Sequence, residues 1–331
     1  MSAIFTDRHT AEATINQKAE RGEDFVFLIS YRMDQCLVCH PDEAAASDLY
    51  YNFRGIHNAG QLKGNFREEE MIVRPIPPSP DSYQIAFDEV MKQIRAGYTY
   101  LINLCVESPL EYCPSLPSIF LQASAPYKLL LQGHFVVFSP EPFVRIDQSG
   151  GIKTHPMKGT IRADLPNADK KLLDDPKEQA EHFTIVDLLR NDLSISAKEV
   201  SVDRFRYLSK IQSGNRALWQ TSSEISGQLP KDFRRNLGTI LFKMLPAGSI
   251  TGAPKKKTVE ILSKVEQFDR GFYTGIAGIF QNGVLDSAVL IRFIEKRGAD
   301  YFYKSGGGIT FQSDSKKEYE ELIEKIYVPT A

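Results

Sequence analysis

The chain has 331 residues, with 40 Lys plus Arg against 42 Asp plus Glu, and is 42% apolar and 25% charged. That balance excludes disordered and fibrous architectures and leaves no broad basic footprint for nucleic acid. No apolar run approaches the roughly 18 residues of a membrane span, and the segment from Met1 to Arg8 has no leader character. Four cysteines (Cys36, Cys39, Cys105 and Cys113) are too few for a disulfide framework. The expectation is a cytoplasmic protein with neither a nucleic-acid nor a membrane partner.

In chain order, strand-like runs at 25–29, 36–39 and 49–53 come before a break, Pro75-Ile76-Pro77-Pro78-Ser79-Pro80. The break can continue neither a helix nor a central strand. A helix follows, with Tyr83, Phe87, Val90, Met91 and Ile94 on one face and Gly97 as its stop. Strand signals return at 100–106, 128–132, 135–138 and 143–146. A long helix opens with Asp175 as cap and Pro176 in its first turn. Another helix opens at Pro254, and strands are expected at 273–280, 284–294 and 301–304 before a last helix near Ser315. Strands gathered in hairpin-like sets favour an α+β fold with large antiparallel sheets. A short N-terminal portion (1–80) is expected to pack on one structural unit (81–331).

Several motifs carry chemistry. Cys36-Leu37-Val38-Cys39-His40 matches a haem-attachment pattern, but a structural strand explains it better, and no second pair offers zinc spacing. Gly248-Ser249-Ile250-Thr251-Gly252-Ala253-Pro254-Lys255 is a Gly-rich turn before a helix, suited to an anion; the alternative is an ordinary helix capped by Thr251. It lacks the Lys-Ser/Thr pair of a nucleotide-binding loop. Gly306-Gly307-Gly308, after a strand, could let the backbone approach a ligand closely; the alternative is a flexible loop. Glu178 and Glu181, like Glu318 and Glu321, share a helix face. Two such pairs could hold a hard cation such as Mg²⁺, which takes oxygen ligands; a solvated face is the alternative for either pair. Lys158, in the turn Pro156-Met157-Lys158-Gly159-Thr160, is a candidate nucleophile. Glu141, in Ser139-Pro140-Glu141, is a candidate general acid.

Taken in order, these motifs resemble the chorismate-utilising enzymes, together with Glu178-Gln179-Ala180-Glu181-His182, Arg190-Asn191-Asp192, Arg270-Gly271-Phe272-Tyr273, Ile291-Arg292 and Glu318-Tyr319-Glu320-Glu321. The resemblance covers roughly residues 80 to 327 and implies that family's fold, mostly antiparallel sheets in a sandwich flanked by helices. Lys158 makes the aminodeoxychorismate synthase component I branch the closest, since anthranilate synthases usually have alanine there. Leu101 stands near where isochorismate and salicylate synthases place a lysine base. The resemblance implies that Lys158 attacks ring C2 of chorismate while Glu141 protonates the departing C4 hydroxyl, and that ammonia then enters at C4.

It further implies that Glu181 and Glu321 ligate Mg²⁺ and that Glu178 and Glu318 support it. Arg292 and Tyr273 would hold the enolpyruvyl carboxylate. Gly159, Thr160, Ser249, Gly306, Gly307, Gly308 and Lys325 would line the substrate. Ammonia would come from a separate glutamine amidotransferase subunit, because this chain shows no glutaminase nucleophile. The alternatives are anthranilate synthase component I and a non-catalytic chorismate-binding relative. The sequence departs from the family at Gln220, where many relatives have His, and it lacks a clear Leu-Glu-Ser regulatory signature.

Overall fold

The segment from Phe25 to Ile29 is buried at every position, so it must lie between two apolar surfaces rather than face water on one side. Phe25, Phe27 and Ile29 join one apolar cluster, and Val26 and Leu28 join another. The structure, a computed structural model, describes residues 5–64, 66, 69–213 and 216–330. Met1 to Ile4, the start of the segment inspected for a leader, lie outside the described residues.

In chain order the first elements are α1 (Arg8–Arg21), β1 (Phe25–Ile29), β2 (Cys36–Cys39), β3 (Leu49–Phe53), β4 (Ile56–His57), β5 (Arg74–Pro75), α2 (Pro80–Arg95), β6 (Leu101–Tyr112) and α3 (Leu116–Gln122). Next come β7 (Tyr127–Leu131), β8 (Phe135–Ser139), β9 (Pro142–Ile146), β10 (Gly151–Thr154), β11 (Met157–Arg162), α4 (Ala168–Asp174), α5 (Pro176–Ser194), β12 (Lys198–Ser213) and β13 (Arg216–Gln228). The last are α6 (Leu237–Met244), β14 (Gly252–Ala253), α7 (Lys255–Val265), β15 (Ile276–Gln281), β16 (Val284–Val289), β17 (Phe293–Arg297), β18 (Asp300–Thr310) and α8 (Ser315–Glu324).

The strands form two nine-stranded antiparallel sheets, which makes the fold α+β. One runs β11-β13-β10-β9-β16-β15-β1-β2 with β12 on β13; the other runs β14-β6-β18-β17-β8-β7-β3-β4 with β5 on β6. Side chains of β1, β15 and β16 meet those of β3, β7, β8 and β17 in one apolar layer between the sheets. α1, α5 and α6 cover the outer face of the first sheet. α2, α7 and α8 cover the β6–β18 part of the second. No helix among the described residues is long and apolar enough to cross a membrane.

Three expectations change. The strand expected at 284–294 is two strands, because Arg292 takes a left-handed φ of 56° and turns the chain between β16 and β17. Gly306, Gly307 and Gly308 are not a loop: they lie inside β18, paired with Cys105, Leu104 and Asn103 of β6. A Cβ on Gly306 would meet the Cys105 sulfur at 2.7 Å, so the glycine permits close strand packing. Thr251 does not cap the following helix. It is fully buried, and the Gly-rich segment folds as a 3₁₀ turn (Gly248–Ile250) and then β14, which pairs with β6. Features without a clear sequence signal also appear, among them α1, α3, α4, α6 and the long β12–β13 pair.

Arg270, 2% exposed, ties these parts together. Its guanidinium forms a two-point ion pair with Glu266 (2.6 and 2.8 Å). It also donates to the carbonyls of Asn103 on β6 (2.7 Å) and Ile250 in the 3₁₀ turn (2.9 Å). Glu266 in turn accepts from the Cys105 backbone N–H at 3.0 Å. Truncation would leave Glu266 as a buried carboxylate without its counter-charge. Arg270→Ala is therefore expected to cost about 3–5 kcal/mol in denaturant unfolding; a loss under about 1 kcal/mol would show that other groups neutralise Glu266.

Candidate active site

The candidate residues come from elements far apart in sequence. α5 is set by Asp175, whose carboxylate accepts from the Glu178 N–H, and by Pro176 in its first turn. One turn into the helix Glu178 and Glu181 share a face, as their spacing requires. α8 is capped by Asp314 and carries Glu318 and Glu321, with Lys325 at its C-cap. Both helices turn these carboxylates toward one cleft beside β11 and the glycine stretch of β18. A Cβ built on Gly307 would lie 3.8 Å from Glu318 Oε2 and 3.9 Å from Lys325 Nζ.

Lys158 reaches this cleft through an irregularity in its strand. Pairing of β11 with β13 shifts register between Met157 and Thr160. Gly159 takes φ 88°, and any Cβ there would lie 2.6 Å from Glu178 Oε2. The Thr221 hydroxyl donates to the Lys158 carbonyl and fixes the bulge. Lys158 Nζ then lies 2.7 Å from Glu181 Oε2. Burial would lower the lysine pKa, but Glu181, and after it Glu321, raise it above the ordinary value, so Lys158 is an ammonium here.

The other charges follow the same logic. Lys325 Nζ bonds Glu321 Oε1 at 2.8 Å and the Gly306 carbonyl at 3.0 Å. Burial lowers the Lys325 pKa despite Glu321. Burial opposes ionisation of Glu321, yet Lys325 and Lys158 hold its carboxyl down at about 2. Burial raises Glu178. Glu178 Oε2 and Glu181 Oε1 are buried and have no hydrogen-bond partner. These are buried carboxylate oxygens without a partner, of the type a hard divalent cation takes as ligands. Among the described residues no three acidic, imidazole or thiol side chains converge on a single point for a metal; ammonium groups stand between the carboxylates.

Glu141 follows β8 in a tight turn, and its N–H donates to the Ser139 hydroxyl at 3.1 Å. Ser249 donates to Glu141 Oε1 at 2.6 Å from the 3₁₀ turn. That turn is anchored through Asp192, which accepts from Gly248 N (3.2 Å) and pairs with Lys255 (2.7 Å). Burial raises the Glu141 carboxyl, and Ser249, Arg292 and Lys325 counter it only in part. Arg292 lies over the Tyr327 ring, and its carbonyl accepts from the Phe138 N–H, which ties the arginine to the start of the Glu141 turn.

Tyr273 is placed more deeply. Its ring meets Phe293 edge-on in the layer between the sheets, and burial raises its hydroxyl well above the ordinary range, with Cys105 beside it. Thr160 lies beyond the bulge, exposed and paired with Gln220. Leu101 packs with Leu188 and Ala253, an apolar position rather than a base.

Two residues were not anticipated. His182, one position after Glu181, is fully buried with Nε2 2.7 Å from the Ser223 hydroxyl. Burial lowers its pKa to about 4, so it is neutral. Lys177 lies 3.5 Å from Glu181 Oε1 and 3.2 Å from Glu318 Oε1 and so bridges the two helices. Its spacing of four from Glu181 was a readable signal; its partner on α8 was not.

The family model described as chorismate binding enzyme matches residues 11–331. An uncharacterized PabA-like protein of Pasteurella multocida is 46% identical over 95% of this chain and 96% of its own length. The Escherichia coli aminodeoxychorismate synthase component 1 is 32% identical over 74% of this chain and 56% of its own. The crystal structure of the menaquinone-specific isochorismate synthase of Escherichia coli superposes with a TM-score of 0.74 at 16% identity, covering 98% of this chain and 82% of that one, a likeness of fold. With its two antiparallel sheets and this match along nearly its whole length, the chain belongs to the chorismate binding enzyme family.

Proposed function

We propose that this chain is an aminodeoxychorismate synthase component I, which converts chorismate and ammonia to 4-amino-4-deoxychorismate. The observation that carries the reading is the primary amine of Lys158, presented by the Gly159 bulge into a cleft lined by carboxylates and flanked by Arg292 and Lys325. Relatives that activate water would need a base near position 101, and Leu101 is an apolar contact there. Ammonia would come from a separate glutamine amidotransferase subunit, for which an ammonium salt can substitute in solution.

In this reading Arg292 and Lys325 meet the carboxylates of the substrate dianion, the guanidinium by two parallel hydrogen bonds. Lys158, once its ammonium has given a proton to water, attacks ring C2 as the free amine, the ring double bonds shift, and the C4 hydroxyl leaves as water with the proton of Glu141. Ammonia adds at C4, the double bonds return, the lysine amine is expelled from C2, and the new C4 ammonium returns a proton to Glu141, so the enolpyruvyl group is kept. Burial raises the Glu141 carboxyl above its ordinary range, the direction a proton donor needs, and Ser249 orients it. A Mg²⁺ ion on Glu181 and Glu321, supported by Glu178 and Glu318, would supply charge for the ring carboxylate and relieve the anionic field that keeps Lys158 protonated.

The test is chorismate with Mg²⁺ and ammonium, with products separated chromatographically. The expected product is 4-amino-4-deoxychorismate without pyruvate release. Anthranilate with equimolar pyruvate would overturn the reading. Lys158→Ala should lower amination by at least about a hundredfold, the range a positioned catalytic group supplies, with the circular dichroism spectrum unchanged; wild-type turnover in that variant would take the nucleophile role from Lys158. Chelation by EDTA should abolish turnover and Mg²⁺ restore it, whereas turnover indifferent to EDTA would remove the metal from the reading.

A further inference from the structure

Lys177 is a cation at the end of a helix that favours anions. It is the second residue of α5, where the free backbone N–H groups carry positive partial charge. Its ammonium folds along the helix to Glu181 Oε1 (3.5 Å) and across the cleft to Glu318 Oε1 (3.2 Å). Lys158 holds the other oxygen of Glu181 at 2.7 Å. The carboxylates of α5 and α8 are therefore joined by the chain's own cations. Lys177 donates a hydrogen bond to Glu318 Oε1 and holds Glu181 by charge alone. Glu181 Oε1 accepts no hydrogen bond, and the Lys177 side chain keeps 34% of its surface in solvent, so its ammonium has a route to water.

We propose that Lys177 is an internal stand-in for the divalent cation: it links α5 to α8 across the metal-free cleft and gives up Glu181 and Glu318 when a cation enters. Metal binding is then a competition with a side chain of the same protein. Without it, Glu181 and Glu318 would face each other with less counter-charge, which would both destabilise the metal-free protein and strengthen its pull on a cation. Lys177 acts here as a positioning residue, not a catalytic one. The inference rests on the reading that this cleft takes Mg²⁺.

Calorimetric titration of MgCl₂ into metal-free full-length protein, without chorismate, tests it in wild type, Lys177→Met and Lys177→Arg. Lys177→Met is expected to bind Mg²⁺ about tenfold more tightly than wild type, and Lys177→Arg, which keeps the charge, within about twofold of it. In EDTA Lys177→Met should also melt below wild type, and saturating Mg²⁺ should close that gap. Near-UV circular dichroism establishes that each variant is folded. Equal or weaker Mg²⁺ binding by folded Lys177→Met overturns the competition and leaves the metal reading standing. No Mg²⁺ binding in any of the three removes the metal reading and this inference together.

Discussion

The constraint on which the structure turns is the partial burial of four carboxyl groups from two helices in one cleft. Glu181 and Glu318 are almost fully buried, and carboxylates taken out of water need compensating charge. Three ammonium groups supply it: Lys158 to Glu181, Lys177 to Glu181 and Glu318, and Lys325 to Glu321. The cluster is near neutral as it stands. A divalent cation and a substrate dianion entering together would leave that balance unchanged, whereas either alone would disturb it. Charge neutrality thus couples the two ligands in the proposed reading, and thermodynamic linkage makes the coupling reciprocal.

The sheets exist in a form that brings these helices together. α8 follows directly on β18, whose glycines let it lie tight against β6 and place the Gly306 carbonyl within reach of Lys325. α5 lies between the β11 bulge and the 3₁₀ turn, where Asp192 holds Gly248 and Lys255. Arg270 then connects that turn, β6 and Glu266 in one buried group. Ser249 against Glu141 and Lys158 against Glu181 are therefore positioned by separate supports on facing elements, so the acid and the amine keep fixed places relative to each other.

Much of this was legible in the sequence because it obeys local rules. Asp175 and Pro176 announce α5, and the Tyr83–Ile94 stripe announces α2. Spacing alone put Glu178 with Glu181 and Glu318 with Glu321. What was not legible depends on partners far along the chain. α1 buries only Ala11, Ile15 and Ala19, a stripe too thin to read as amphipathic; its place is set by Asn16 capping Gly238 and Thr239 of α6. The glycines at 306–308 read as a loop because their strand character comes from β6, not from any propensity of their own. Arg292 hides the break between β16 and β17, since a left-handed arginine has no sequence signature. It is strain held by surrounding structure, and it occurs at a proposed carboxylate-binding residue.

The titratable groups bear on which product the proposed chemistry gives. Forming anthranilate would require a base to take a ring proton as the enolpyruvyl group leaves and the ring aromatises. Many relatives carry His where this chain has Gln220, and an amide cannot accept that proton. His182 cannot take the role. Its Nε2 is engaged by Ser223, and burial holds its pKa near 4, so it is too weak a base for the step. Burial shifts the Glu141 carboxyl upward, the direction that suits donation to a leaving hydroxyl rather than proton abstraction. Lys158 lies against Glu181 and, in the proposed chemistry, is the amine that attacks and is expelled. A site supplied with an acid and a nucleophile, and with a non-titrating amide at that position, favours a product that keeps its enolpyruvyl group, and this ties the assignment at Lys158 to the departure at Gln220.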